Sequence, residues 1–263
     1  MIKENIPVIN YSDDGNGKCI VFLHGFLESN MIWNDYVDRL SNYFRVICVD
    51  LPGHGLSSVL AEEHSMVMMA EEVHNILEIL GVNKCVMVGH SLGGYVSLAF
   101  ASKHPSFLKG LVLLHSHAED DNEEEKLLRD RTVEIVEKDK SSFIAQFTPS
   151  LFAPDNVEKH KKEIEWLKSI ALENPKEGIT AALKGMRNRA NHLETVKKLK
   201  MPVLVIAGDQ DSRIPLEKVK KQFAAIKTVK LEIIKNCGHM GFVEASDTVF
   251  DLIRSLLQKV YKK

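Results

Sequence analysis

Three residues far apart in the sequence have the side chains needed for nucleophilic catalysis: Ser91, Asp211 and His239. A serine hydroxyl is a poor nucleophile until a base removes its proton, and the base needs a carboxylate to orient it. Ser91 is the middle residue of Gly-His-Ser-Leu-Gly at positions 89–93, between a strand-like apolar run and an apolar helical pattern. A serine on so sharp a turn needs small residues two positions before and after it, and the two glycines meet that need. The segment therefore predicts a nucleophilic serine at a strand-to-helix turn.

Asp211 and His239 are the candidate acid and base because each follows the end of another strand-like run. Residues just beyond the ends of parallel strands converge on one edge of a sheet. We therefore predict that His239 takes the proton of Ser91 and that Asp211 orients the imidazole. Asp209 is the rival acid, but it lies closer to the strand end, where it can cap the turn.

This chemistry also needs a pair of N–H donors for the oxyanion of the tetrahedral intermediate. Leu92 lies at the start of the helix after Ser91, where backbone N–H groups are free. Phe26, in His-Gly-Phe after the run at 19–23, supplies the second predicted donor. Each donor contributes about 3 kcal/mol of transition-state stabilisation. We interpret His24 as a structural residue that holds this loop.

Apolar runs rich in Val, Ile and Leu recur along the chain with helical patterns between them, and they are the elements that position these residues. The runs cover positions 19–23, 44–49, 85–88, 111–114, 203–207 and 231–234. Because the runs are continuously apolar rather than alternating, we expect both faces of each strand to be buried. The pattern predicts an α/β fold with a parallel sheet between helical layers. Residues 1–12 and the turn at 13–17 predict a short antiparallel strand before it.

Strand and helix stop alternating between positions 119 and 200, where charged helical segments follow one another. The predicted segments cover 123–140, 141–151, 157–172 and 175–189. We predict an α/β core over 1–118 and 201–263, with a helical cap inserted over 119–200. The apolar side chains of the cap either form a small core of their own or line a pocket above the sheet. The predicted pocket residues are His90 and His115 from the core and Phe143, Phe147 and Trp166 from the cap.

Five short motifs occur in an order that is known from one family. They are His-Gly-Phe at 24–26, Asp-Leu-Pro-Gly-His-Gly-Leu-Ser at 50–57, Gly-His-Ser-Leu-Gly-Gly at 89–94, Gly-Asp-Gln-Asp at 208–211 and Gly-His at 238–239. With them the chain resembles the α/β-hydrolase fold superfamily over nearly its whole length, and in particular the carboxylesterase-like branch with a serine nucleophile. The resemblance implies an eight-stranded, mostly parallel sheet with a helical cap after the sixth strand. It also implies the roles given above for the triad and the oxyanion donors, and it supports Asp211 over Asp209 as the acid.

Ser91 and the residue before it narrow the reaction. Epoxide hydrolases and haloalkane dehalogenases of this superfamily use an aspartate nucleophile, so Ser91 argues against both. Relatives that cleave carbon–carbon bonds of ring-fission products often carry Asn where His90 stands, which argues against that reaction without excluding it. We predict a cofactor-independent serine hydrolase that cleaves carboxylic esters of small to medium apolar acyl groups. The alternatives are a carbon–carbon or enol-lactone hydrolase of aromatic catabolism and a slow-turnover ligand receptor on the same fold.

His115, His117 and Asp120 form a competing pattern, because His-x-His with a nearby carboxylate can hold zinc. The pattern resembles the signature of metallo-β-lactamase-fold hydrolases only in part, since the acid comes one position late and the final histidine is absent. We therefore predict no metal, with His115 in the pocket instead. Cys237 stands two positions before His239, and without a base of its own we interpret it as a bystander.

The composition of the 263-residue chain argues against other classes of protein. Lysine and arginine total 34 and aspartate and glutamate 36, a net charge of −2, and both signs alternate along helical segments, so nucleic acid is not an expected partner. The four cysteines form no Cys-x-x-Cys pair, which predicts free thiols in a reducing compartment. No run approaches the roughly 18 apolar residues that span a membrane. We expect a cytoplasmic monomer or homodimer that acts on a small ester.

Overall fold

The computed structural model describes residues 8–261 and contains one sheet of seven strands. The strands are β1 (Tyr11–Asp14), β2 (Cys19–Leu23), β3 (Arg45–Val49), β4 (Cys85–His90), β5 (Leu108–Leu114), β6 (Val203–Gly208) and β7 (Val229–Ile234). Their order across the sheet is β1-β3-β2-β4-β5-β6-β7. β1 runs antiparallel to β3, and all other neighbouring pairs are parallel. The predicted α/β fold with a mostly parallel sheet is confirmed.

Helices cover both faces of the sheet. They are α1 (Asn34–Leu40), α2 (Met66–Ile79), α3 (Leu92–Lys103), α4 (Glu123–Phe147), α5 (Lys161–Glu173), α6 (Lys176–Arg187), α7 (Leu193–Lys198), α8 (Leu216–Phe223), α9 (Gly241–Glu244) and α10 (Ser246–Tyr261). Val21 and Leu23 of β2 belong to the core that includes α2 and α3, whereas Ile20 and Phe22 belong to the core that includes α1 and α10. Successive residues of a strand thus face opposite cores, which explains the continuous apolar runs. Among residues 8–261, no helix is long and apolar enough to cross a membrane.

The number of strands differs from the eight that the family resemblance implies. β1 is the antiparallel strand expected near the start of the chain, and it pairs with β3. It includes Asp13 and Asp14, which were predicted to lie in the turn that follows. Just before β1, the carbonyl groups of Val8 and Asn10 accept hydrogen bonds from Ser58 and Asp50 in the loop after β3. These two residues are therefore tied to a loop and do not extend the sheet. The first part of the segment that was predicted to form this strand, residues 1–7, lies outside the described residues.

The segment between β5 and β6 is helical, as its charge pattern predicted, and it contains α4 to α7. α4 is interrupted at Asp139, whose φ of −155° and ψ of 84° are not helical. The carboxylate of Asp139 accepts the N–H of Ser142 at 2.9 Å and so caps the second half of the helix. This interruption lies next to the predicted boundary between residues 140 and 141.

The backbone of α6 is in direct contact with the backbone of the loop after β3. A Cβ on Gly178 would lie 2.1 Å from the carbonyl oxygen of Gly53, and a Cβ on Gly185 would lie 1.8 Å from that of His64. The N–H of His64 also donates to the carbonyl of Ala181 at 3.0 Å. Any residue larger than glycine at 178 or 185 would push α6 away from the loop after β3. This close contact holds one wall of the cap above the edge of the sheet.

Candidate active site

Ser91 occupies the turn between β4 and α3 in a conformation that residues with a side chain rarely adopt, at φ 48° and ψ −110°. Two glycines make the turn possible. A Cβ on Gly89 would lie 2.3 Å from the carbonyl oxygen of Gly93, and a Cβ on Gly93 would lie 2.4 Å from that of Leu23. Backbone strain of this kind costs about 1 to 3 kcal/mol and is concentrated at functional sites. The turn places Ser91 at the carboxyl-terminal edge of the sheet.

A chain of hydrogen bonds joins Ser91, His239 and Asp211. The Nε2 of His239 lies 2.9 Å from Oγ of Ser91, and the Nδ1 of His239 lies 2.9 Å from Oδ2 of Asp211. Asp211 and His239 are 8% and 4% exposed, so their contact is shielded from water. The structure therefore brings together the three residues that were predicted from their positions in the sequence. In this geometry the imidazole can accept the serine proton.

Four N–H groups hold the carboxylate of Asp211. Oδ1 accepts from the backbone N–H groups of Arg213 and Ile214, at 2.8 and 2.9 Å. Oδ2 accepts from His239 and from a second imidazole, His115. Burial by itself would raise the pKa of Asp211, but the hydrogen bonds and charges of His239 and His115 outweigh it and hold that pKa well below its usual range. The carboxylate stays ionised, as a group that stabilises an imidazolium must.

His115 lies behind the triad and not in the pocket, which corrects the prediction. The side chain is fully buried, and its Nδ1 lies 3.2 Å from Oδ2 of Asp211. Burial lowers the pKa of His115, so the ring is neutral and donates through Nδ1. The backbone of His115 is left-handed, with φ at 46°, directly after β5. The pattern of apolar residues in the sequence did not predict this left-handed backbone conformation.

The two backbone N–H groups predicted to bind an oxyanion belong to Phe26 and Leu92. Leu92 is the first residue of α3, and Phe26 lies in the loop after β2. Neither N–H donates to a loop or turn carbonyl within residues 8–261. Leu27 has a φ of 67°, which leucine rarely adopts. His24 holds the same loop from the other side, since its Nε2 accepts the N–H of Leu51 at 2.9 Å.

A cavity of about 370 Å³ opens beside Ser91, between the sheet edge and the cap. Its apolar lining includes Phe26, Phe143, Phe147, Leu151, Leu183 and Met186. The predicted pocket residues Phe143, Phe147 and His90 belong to this lining. Trp166 does not: it lies on α5 and is 37% exposed, whereas Leu167 of the same helix is buried. The sequence predicted a helix here but could not show which of its faces points towards Ser91.

The cavity also has a charged part that the sequence did not indicate. Asp121 and Arg129 line it and lie 3.1 Å apart. Asp121 pairs with a second cation, the buried Arg189. The guanidinium of Arg213 lies 4.6 Å from the ring centroid of Phe147 and takes part in none of the ion pairs within residues 8–261. The lining is therefore less apolar than predicted and carries charged groups of both signs.

The residues of the competing metal pattern face different partners. The Nε2 of His117 lies 3.3 Å from the guanidinium of Arg189, and the carboxylate of Asp120 accepts from Asn191 at 2.9 Å. His115 turns the opposite way, towards the triad. Since the three side chains do not converge, they do not form the ligand set that His-x-His suggested.

Two further residues that the sequence places near the triad, Asp209 and Cys237, take no part in its hydrogen-bond chain. Asp209, the rival acid, lies 3.3 Å from the ammonium group of Lys235 and does not contact the imidazole of His239. Cys237 is buried, and burial raises the pKa of its thiol. A thiol of this kind is protonated at neutral pH and is not a nucleophile.

A mostly parallel sheet, a serine on a strained strand-to-helix turn and an acid–histidine pair at the same edge together define the class of α/β hydrolases. The sequence matches the alpha/beta hydrolase fold family over residues 18–246. The chain belongs to this family and is an enzyme of the hydrolase class.

Comparison with individual proteins gives several relatives over nearly the full chain. The structure is similar to that of a thermophilic esterase from Thermogutta terrifontis, with a TM-score of 0.91 and 32% identity over 97% of this chain and 94% of that one. The sequence is 28% identical to the 2-hydroxy-6-oxononadienedioate/2-hydroxy-6-oxononatrienedioate hydrolase of Paraburkholderia phymatum, covering 95% of this chain and 90% of that protein. It is 26% identical to the pimeloyl-[acyl-carrier protein] methyl ester esterase of Wigglesworthia glossinidia brevipalpis, covering 91% and 93%.

Proposed function

We propose that the protein is a serine hydrolase that cleaves carboxylic esters of small to medium acyl groups through an acyl-enzyme intermediate. The observation that carries this proposal is the hydrogen-bond chain from Ser91 through His239 to Asp211, which opens on a largely apolar cavity. The similarity to an esterase of known structure over nearly the whole chain supports it.

In the first half of the proposed reaction, Oγ of Ser91 attacks the ester carbonyl carbon while its proton passes to Nε2 of His239. The carbonyl oxygen becomes an oxyanion and accepts from the N–H groups of Phe26 and Leu92. Asp211 remains ionised and stabilises the imidazolium of His239. The intermediate then collapses, and the leaving alcohol takes the proton from the imidazolium.

In the second half, water attacks the acyl-enzyme from the side that the alcohol has left. His239 removes a proton from the water, and the same two N–H groups stabilise the second oxyanion. Collapse releases the carboxylic acid and returns the proton to Oγ of Ser91. Every proton transfer uses one imidazole nitrogen, and no cofactor takes part in the proposed cycle.

The cavity supports an acyl group of limited size. About 370 Å³ lies at the lower end of the range for small-molecule sites. Phe147 and Phe143 form an aromatic wall, with ring centroids 5.0 Å apart, and Phe147 meets Phe26 edge-on at 6.1 Å. These rings favour acyl chains that fill the cavity without displacing α4.

The proposal is tested with 4-nitrophenyl esters from acetate to dodecanoate. We expect kcat/KM to reach a maximum at a short or medium chain. Ser91→Ala is expected to lower kcat at least about 10⁴-fold with no loss of folded protein, because it removes the nucleophile only. Ser106→Ala, in the turn after α3, is the matched control and keeps wild-type rates. Activity that survives in Ser91→Ala would overturn the proposal.

A second candidate function is hydrolysis of a carbon–carbon bond in a ring-fission product. The observation that favours it is the 28% identity to the 2-hydroxy-6-oxononadienedioate/2-hydroxy-6-oxononatrienedioate hydrolase over 95% of this chain. The same triad and oxyanion donors would serve this reaction. Ring-fission products assayed beside the esters decide between the two: if the ring-fission products turn over and the esters do not, the second function replaces the first.

A further inference from the structure

A second pair of titratable residues lines the active-site cavity beside Ser91. Glu28 follows the oxyanion loop, and His90 directly precedes Ser91. The two side chains are buried, at 3% and 1% exposure, and Nδ1 of His90 lies 2.9 Å from Oε2 of Glu28. The other ring nitrogen of His90, Nε2, lies 3.0 Å from the carbonyl oxygen of His239. No sequence motif indicated Glu28.

The partners of His90 determine its protonation state. A neutral imidazole has a single N–H, but here both ring nitrogens face oxygen atoms, and a backbone carbonyl can only accept. Both contacts are hydrogen bonds at once when His90 is an imidazolium and Glu28 a carboxylate. Burial would lower the pKa of His90, but the contact with Glu28 outweighs it and raises that pKa above the ordinary value. Burial would likewise raise the pKa of Glu28, and His90 lowers it overall.

The pair lies where the oxyanion loop is under strain. The carboxylate of Glu28 also accepts a hydrogen bond from the N–H of Gly25. This hydrogen bond joins the two ends of the turn that contains Leu27, whose φ is 67°. Gly25 is necessary for this approach, because a Cβ there would lie 2.6 Å from Nδ1 of His90 and 2.7 Å from Oε2 of Glu28. The strained conformation therefore depends on a carboxylate that His90 holds in place.

We propose that Glu28 and His90 form a buried ion pair that positions three parts of the active site: the oxyanion loop through Glu28, the nucleophile turn through His90, and the loop of the catalytic histidine through the carbonyl of His239. The role rests on the serine hydrolase function proposed above. Neither residue is assigned contact with the reacting atoms, so both are positioning residues. Their contribution is to keep the N–H of Phe26 at the distance from Ser91 that the oxyanion requires.

Other charged or titratable groups also face the pair. His24 lies on the oxyanion loop, Asp211 on the acid loop and His115 after β5, where its ring centroid is 6.1 Å from that of His90. The ring of His239 lies 5.1 Å from that of His90. Asp211 favours the His90 cation and the imidazoles disfavour it, but Glu28 is the group in direct contact. Loss of Glu28 should therefore have the largest effect on the charge of His90.

The charge of His90 is measured by NMR on the full-length wild-type enzyme with ¹⁵N-labelled histidine, and the His90→Gln spectrum identifies the signal. We expect both ring nitrogens of His90 to be protonated at about pH 8, where a histidine of ordinary pKa, about 6.5, is neutral. One unprotonated ring nitrogen at that pH would overturn the ion pair. The measurement needs neither turnover nor a variant that is stable enough for kinetics.

The positioning role is measured with Glu28→Gln, which keeps the shape of the side chain and removes its charge. We expect kcat to fall about 10- to 100-fold with KM changed less than about threefold, because an oxyanion donor acts mainly in the transition state. The alkaline decline of kcat should begin at least about one pH unit lower than in wild type, since His90 loses its proton more easily without the carboxylate. Wild-type kcat and pH profile in Glu28→Gln would overturn the role.

Two control variants show whether the effects of Glu28→Gln come from loss of the ion pair. Glu71→Gln is the matched variant, because Glu71 also contacts an imidazole, His104 at 3.1 Å, but on the partly exposed surface of α2. It should keep wild-type kinetics. The double variant Glu28→Gln/His90→Gln leaves no unpaired buried charge, so it should be more stable than Glu28→Gln alone; a less stable double variant contradicts the ion pair.

Failure of the proposed function can be distinguished from failure of the ion pair. If wild type hydrolyses no ester, the reaction of Ser91 with diethyl 4-nitrophenyl phosphate replaces turnover as the readout. This reaction needs the nucleophile and the oxyanion donors but no specific acyl group. A slower reaction in Glu28→Gln than in Glu71→Gln supports the positioning role, and equal rates overturn it.

Discussion

His115 and Asp211 are in direct contact: Nδ1 of His115 lies 3.2 Å from Oδ2 of Asp211, the oxygen that also accepts from His239 at 2.9 Å. One carboxylate oxygen is thus shared by two imidazoles, of which only His239 reaches Ser91. The second imidazole restricts the rotation of the carboxylate and, through it, the plane of the His239 ring. The sheet brings the two together because β5 and β6 are neighbours.

His115→Asn removes this donor while keeping the backbone, because asparagine tolerates the left-handed conformation at this position. We expect kcat for the best 4-nitrophenyl ester to fall about 10-fold. A hydrogen bond to a charged group contributes about 1.5 to 3 kcal/mol, so the free energy of unfolding should fall by a similar amount. His104→Asn, far from the triad, is the control. An unchanged kcat would show that the remaining donors suffice to orient Asp211.

Ser91→Gly and Ser91→Ala should differ in stability although both remove the nucleophile. The backbone at Ser91, with φ at 48° and ψ at −110°, is unfavourable for alanine and accessible to glycine. Relief of about 1 to 3 kcal/mol of strain exceeds the entropic cost of glycine, about 0.5 to 1 kcal/mol. We expect Ser91→Gly to be about 1 kcal/mol more stable in urea unfolding. A less stable glycine variant would mean that the turn is not strained.

The stability of the wild-type enzyme should depend on pH through Asp211. Because its pKa is lowered in the folded protein, the carboxylate contributes stability that is fully present above the unfolded value, about 3.9, and is lost as the pH falls towards the folded value. Asp211→Asn lacks this contribution. The difference in unfolding free energy between the two proteins should therefore narrow by about 1 kcal/mol between about pH 5 and about pH 3. A constant difference over this range contradicts the lowered pKa.

Phe147 and Trp166 should differ in their effect on substrate size. Phe147 lines the cavity against Phe26, whereas Trp166 is partly exposed on α5. We expect Phe147→Ala to move the optimum of the ester series to a longer chain and to raise KM for short esters about threefold or more, because it enlarges the cavity. Trp166→Ala should leave the optimal chain length unchanged and KM for short esters within about twofold of the wild-type value. An equal effect of the two variants would place the acyl site outside this cavity.

Arg213 should favour substrates with a negative charge at the end of the acyl chain. Its guanidinium lies against the face of Phe147 at the cavity and forms no ion pair with a carboxylate within residues 8–261. In Arg213→Gln, kcat/KM should fall about 5- to 10-fold for the monoester of a dicarboxylic acid and remain unchanged for the uncharged ester of equal length. The difference should shrink in high salt. Arg254→Gln, on α10, is the control; equal losses for both esters would contradict the charge effect.

The triad was predictable because two simple rules apply to it. Strand-like runs are visible as continuous apolar segments, and the residues after parallel strands meet at one edge whatever lies between them. Ser91, Asp211 and His239 follow β4, β6 and β7, and the structure places them in a single hydrogen-bond chain. The same rule put His115 near the triad but could not tell that its side chain turns towards Asp211.

The pocket was less predictable, because its lining depends on which face of each cap helix points to the sheet. Phe147 and Trp166 are both aromatic residues of predicted cap helices, and nothing in the sequence distinguishes their roles. In the structure, Phe147 lines the cavity and Trp166 does not. The glycines of α6 set the height of the cap through their contact with the loop after β3. Such contacts join segments far apart in the chain and leave no local pattern.

The sequence by itself determined the α/β architecture, the position of the helical segment between β5 and β6, and the residue types at the edge of the sheet. These follow from periodicity and from glycine spacing, which are local properties of the chain. Only the tertiary structure decided the partners of each polar group: His115 with Asp211, and Glu28 with His90. Hydrogen bonds and ion pairs depend on distances of about 3 Å between side chains remote in sequence, and only packing determines such distances.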